Sequence, residues 1–214
     1  MCFSAGASFT AAAVLSVIGL LSVAKAPSKS YVPFAMIPLF FALQQFAEGI
    51  LWKTLSDNSY ATLNVSMIYT FLFFAAVVWP IWMPFSLLLI EKIQERKKIL
   101  SLLVIAGITV SLYGLYNLLM YGASAELHCH HIAYTYDTYN YNSIVATLIY
   151  ALPTVGSFFV MRDRIFWVFG ALLGASCILS HIFWKLYSVS VWCFFAALLS
   201  AFVIMIITRR KSAH

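Results

Sequence analysis

Residues 65–90, VSMIYTFLFFAAVVWPIWMPFSLLLI, run without one charged side chain and stop at the charged octet EKIQERKK of residues 91–98. A helix needs about 20 apolar residues to cross the hydrocarbon core of a bilayer. This stretch exceeds that length, and its abrupt charged end marks a return to water. Six more windows repeat the pattern: 8–24, 31–52, 99–121, 143–161, 165–184 and 186–208, with Glu48 the one Asp, Glu, Lys or Arg among them. The chain is 63% hydrophobic and 9% charged, whereas a soluble domain carries about 25% charged residues. Lipid must surround most of it. Helices are the spanning structure that satisfies its own backbone at these segment lengths, so the expected fold is all-α: one polytopic domain over 1–214 with seven transmembrane helices.

The basic residues set the expected orientation. Lys25 and Lys29 lie between spans one and two, Lys92, Arg96, Lys97 and Lys98 between three and four, Arg162 and Arg164 between five and six, and Arg209, Arg210 and Lys211 after the last span. Only Lys53 and Lys185 lie in loops on the other side. Cytoplasmic loops carry the excess of Lys and Arg, which predicts an outside N-terminus, a cytoplasmic C-terminus and residence in the cytoplasmic membrane. The net charge of +6 follows from short juxtamembrane loops. It therefore points to anionic lipid headgroups and not to nucleic acid, for which no separate basic groove exists. No basic n-region precedes the first span, which is expected to be retained.

Depth along spans of known direction turns scattered polar residues into a candidate site. Span two carries Gln44, Gln45 and Glu48 in its outer half, three and four residues apart and so on one helical face, with Trp52 one turn further. An ionisable group inside a span is costly and faces the bundle interior or a cavity. Glu48 is the candidate catalytic or proton-exchanging group, and Gln44, Gln45, Ser4 and Trp52 are candidate ligand contacts. Cys177 and His181, four apart in span six, can point at one ion. The loop before span five, residues 122–142, holds His128, Cys129, His130 and His131, and a connection of that length is functional or unstructured more often than not. With Cys2 at the chain start, these thiols and imidazoles make a soft ligand set suited to Zn or Cu rather than Mg or Ca. Disulfides among Cys2, Cys129, Cys177 and Cys193 are the competing use of the cysteines. Pro80 and Pro84 predict a kink in span three, and 91–98 reads as a solvated charge run.

The opening Met1-Cys2-Phe3-Ser4-Ala5, followed by Ala7-Ser8-Phe9 and by Gln44-Gln45, Glu48-Gly49 and Trp52, resembles an uncharacterised bacterial multi-spanning family with a Met-Cys-Phe-Ser start. That resemblance implies functional positions at Cys2, Ser4, Gln45, Glu48 and His181 but no reaction. Seven spans are also shared by rhodopsins, yet the last window, 186–208, has no Lys to hold a retinal Schiff base. Zinc hydrolases of the ceramidase type are a likeness of fold alone.

These residues support an outward-facing polar or transition-metal site used for binding, sensing or transport, with a metal ion or small polar ligand as partner. A metal-dependent membrane hydrolase with Glu48 as general base and a structural assembly partner are the alternatives.

Overall fold

The computed structural model describes residues 4–128, 131–135 and 144–212. Among them, six helices are long and apolar enough to cross a membrane. These are α1 (Ala5–Ala24), α2 (Lys29–Thr54), α3 (Asn58–Ile90), α4 (Gln94–Met120), α6 (Arg164–Phe183) and α7 (Lys185–Lys211). Between α4 and α6 lies α5 (Val145–Val160), apolar but shorter. The expected spans are thus helical, and most extend a few residues beyond their apolar windows into flanking polar sequence.

One departure from an all-α fold stands in the connection before α5. Strands β1 (Ser124–His128) and β2 (His131–Thr135) pair antiparallel, with Leu127 opposite Ile132 and His128 opposite His131. The loop expected there is in this part an ordered hairpin.

The molecule is inside-out relative to a soluble protein. Gln44 and Gln45 are fully buried and Glu48 is 2% exposed, while Val17, Leu20, Leu102, Leu112, Val145 and Ile178 are each more than half exposed. An apolar surface of this extent marks a membrane-embedded exterior.

Local chemistry sets the helix limits and contacts. Ser4 caps α1, its Oγ accepting the Ala7 N–H at 3.3 Å. Helices α1 and α2 approach closely where side chains vanish: a Cβ at Gly49 would stand 2.9 Å from the Phe9 ring, and one at Gly19 2.5 Å from Leu39. In α3, Pro80 has no N–H to donate one turn back. The helix widens ahead of it into a π segment, Phe74–Val78, which is how the proline kink is accommodated. The widened turn is served from outside: the Tyr150 hydroxyl donates to the Ala75 carbonyl at 2.5 Å and the Ser111 hydroxyl to the Val77 carbonyl at 2.7 Å. Small residues on one face of α4, Gly107, Ser111 and Gly114, let it approach this irregular backbone. A Cβ at Gly114 would lie 2.7 Å from the Ala76 carbonyl oxygen, and one at Gly107 would collide with the carbonyl of Pro80. A second π segment, Leu152–Gly156, occurs in α5 at Pro153.

The two ends of the bundle differ. At one, Arg96 donates to the Val160 carbonyl at 3.0 Å and Arg210 pairs with Asp163 at 2.9 Å, joining the start of α4, the α5–α6 turn and the end of α7. Glu91, expected to be solvated, is 7% exposed there, because its carboxylate accepts the backbone N–H groups of Lys92 and Ile93 at 2.8 and 3.0 Å. The hairpin occupies the opposite end.

Candidate functional site

Two adjoining features occupy the hairpin end. The first is a buried polar network on α2. Gln44 donates through Nε2 to the Phe71 carbonyl at 3.2 Å and to Cys193 Sγ at 3.4 Å, and its Oε1 accepts from Trp79 Nε1 at 3.0 Å. One amide thereby ties α2 to α3 and α7. The next turn holds the acid. Glu48 accepts from Gln45 Nε2 at 3.2 Å through one oxygen and from the Ser190 hydroxyl of α7 through the other. Gln45 Oε1 is buried without a partner among the described residues.

The hairpin closes this network from above. Ile132, Ala133 and Tyr134 are buried, and Ile132 and Tyr134 pack with Leu51, Phe71, Leu72 and Cys193. The Tyr134 ring stacks on Phe71 with centroids 4.5 Å apart and planes 2° from parallel. Its hydroxyl is buried and has no hydrogen-bond partner among the described residues. Burial, reinforced by nearby Glu48 and Cys193, pushes the phenol well above its ordinary pKa, so it stays neutral. Because the ring does the work and the hydroxyl is uncompensated, Tyr134→Phe is expected to leave stability equal or raise it by about 1 kcal/mol. Tyr134→Ala is expected to cost about 3 kcal/mol. Reversible unfolding in mixed micelles compares the two; a Phe variant weaker than wild type would show that the hydroxyl has a partner.

The second feature is a cavity of about 580 Å³ between α3, α4, α5, α6 and α7. Cys177, His181 and Cys193 line it, with Asn117, Tyr150 and Trp192. Tyr150 and Trp192 meet edge to face at 5.5 Å. Both are fixed, Tyr150 by its bond to Ala75 and Trp192 by donation of Nε1 to the Leu173 carbonyl at 3.3 Å. Cys193 belongs to both features, since its sulfur meets Gln44 and its side chain faces the cavity.

The expected residues therefore divide. Gln44, Gln45 and Glu48 are together, in the buried network. Trp52 packs, half-buried, against the apolar cluster under the hairpin. His181 and Cys177 share the cavity wall, but neither is a hydrogen-bond partner of Glu48, whose partners among the described residues are Gln45 and Ser190. Ser4 serves as a helix cap. His128 is exposed, 3.2 Å from Glu126, and His131 stacks on Tyr187 at 4.8 Å. Cys2, Cys129 and His130 lie outside the described residues. Among the described residues no three His, Cys, Asp or Glu side chains stand close enough to hold one metal ion, so the expected Zn or Cu ligand set is not assembled by them. Cys177 and Cys193 are free thiols.

Sequence reading missed Ser190, Tyr134, Trp79 and Tyr150. Ser190 had the one available signal, a hydroxyl near the start of the last span at the depth of Glu48.

Fold and site together define a mostly helical, membrane-embedded protein with a polar network and a cavity at one end. The chain belongs to a family of unknown function, DUF6629, whose family model matches residues 1–214. No curated protein and no solved structure matches it.

Proposed function

We propose that this protein crosses the cytoplasmic membrane seven times, α5 being the seventh span, with its N-terminus outside. At its outer end the cavity takes a small ligand, and the role is binding for sensing or transport. What carries the reading is the cavity wall. His181 has no hydrogen-bond partner among the described residues, and stands with Cys177 and Cys193 in a space otherwise lined largely by apolar and aromatic groups. Few, convergent polar groups in an apolar pocket are the usual make-up of a ligand site. Behind that wall, the bond from Gln44 to Cys193 joins the cavity to the helix face that carries Glu48. Occupancy of the cavity would thus bear on a buried acid on α2, the helix bonded to the back of that wall.

The reading is tested on protein extracted from its own membrane in polymer-bounded discs and weighed by native mass spectrometry. A mass excess is expected on wild type and is expected to vanish in the cavity-filling variants Val110→Trp and Ile149→Trp, each checked for intact helicity. Bare masses in all three would overturn the proposal. The same spectra report Zn or Cu directly, as an excess that a chelator removes.

A further inference from the structure

We infer that the ligand is a single-chain amphipathic lipid with a hydroxyl or carboxyl head, and that it enters sideways from the bilayer between α4 and α5. The inference rests on the cavity being a ligand site, as proposed above, and adds the ligand's class and route.

Polarity is graded along the cavity. At the hairpin end its wall is formed by Asn117 near the end of α4, His181 near the end of α6 and Ser188 near the start of α7. Toward the middle of the bundle the lining becomes Ala75, Val110, Ile149 and Trp192. Thr109, also deep, donates its hydroxyl hydrogen to the Ile105 carbonyl of its own helix at 3.1 Å, which leaves its oxygen to a ligand as an acceptor alone. From Asn117 to Val110 is about 10 Å along the α4 axis at 1.5 Å per residue. That is room for a polar head followed by a length of chain, not for a uniformly polar solute.

The head groups that fit are limited by what surrounds them. Among the described residues no Lys or Arg lines the cavity, so a phosphate would meet no countercharge from them, at a cost its hydrogen bonds would not cover. The imidazole of His181 can donate or accept. Asn117 uses its Nδ2 on the Tyr113 carbonyl at 2.8 Å and keeps Oδ1 as an acceptor. An alcohol or a carboxylic acid satisfies both groups.

The entry route follows from exposure. Tyr113, Val145 and Ile149 line the cavity and are 56%, 63% and 55% exposed, beside the exposed Leu112 and Leu148. The cavity thus reaches the apolar outer surface of α4 and α5. A molecule dissolved in the hydrocarbon meets no polar barrier there, whereas an aqueous solute must leave water before reaching it.

The free thiols report occupancy. Purified wild type in phosphatidylcholine nanodiscs is labelled with N-ethylmaleimide, and modification of Cys177 and Cys193 is followed by peptide mass spectrometry. Probes are oleic acid, farnesol, and butyric acid as a short water-soluble analogue. Oleic acid or farnesol is expected to slow labelling about tenfold or more, with His181→Ala raising the half-protecting mole fraction about tenfold, the worth of one strong hydrogen bond. Butyric acid protecting as well as oleic acid would remove the chain from the proposal while leaving the ligand site standing. Unprotected labelling with every probe, on protein that still carries a mass excess from its own membrane, would overturn the lipid class alone. Loss of that excess as well would remove the site with it.

Discussion

Gly107→Ala is expected to destabilise the protein by about 3 kcal/mol, the upper end of the usual range for overpacking. The added methyl meets the carbonyl of Pro80, which is backbone and has no rotamer to give. Pro80 in turn follows the π segment, whose carbonyls are held by Tyr150 and Ser111. Relief must therefore come from separating α3 and α4 along their contact. The same substitution at Gly156 provides the contrast: there the nearest atom to a new Cβ is Leu152 Cδ1 at 3.7 Å, ordinary contact, and alanine gains up to about 1 kcal/mol of helix propensity over glycine. Unfolding by SDS followed by helicity measures both. Similar midpoints for the two variants would refute the close-approach argument.

Gln44→Leu is the second large effect, expected at about 2 kcal/mol. Interhelical side-chain hydrogen bonds in membranes average only about 0.6 kcal/mol each, so the lost bonds by themselves do not reach this figure. The remainder is the indole N–H of Trp79, buried at 3% exposure and left without its acceptor. That origin has a signature. Adding Trp79→Phe to Gln44→Leu removes the orphaned donor, and the double variant is expected to be more stable than the sum of the two single losses. Strict additivity would place the cost elsewhere, in packing against Phe41, on which Trp79 stacks at 4.0 Å.

Length and charge made the spans legible, because lipid penalises every unpaired polar group and the chain must announce each crossing with an apolar run. The run 65–90 is such an announcement, and its helix ends at Ile90, where the charges begin. The face carrying Gln44, Gln45 and Glu48 was equally legible, since helical spacing alone puts them together. Their partners were not. Ser190 is 142 residues from Glu48 along the chain, and nothing in a serine marks which helix it will meet. The hairpin was hidden for a different reason: its strands are five residues each and β1 holds Ser, Glu and His in place of the usual β-branched residues. Its burial comes from Ile132 and Tyr134 fitting the bundle, a tertiary fact. Common depth gathers Glu48 and His181 into one candidate site, but depth says nothing of azimuth around the bundle. His181 lines the cavity, whereas Glu48 is not in its wall and is bonded to Gln45 and to Ser190 of α7.

The π segment of α3 holds one residue more than an ordinary helical turn of the same rise requires. Removing one residue anywhere else in that crossing would rotate all that follows by about 100°, swapping lipid-facing side chains for core ones. Between Phe74 and Val78 the surplus absorbs the loss, and the flanking faces keep their bearings. This short interval is the span's expansion joint, where its length can change without re-sorting what it shows to the bilayer.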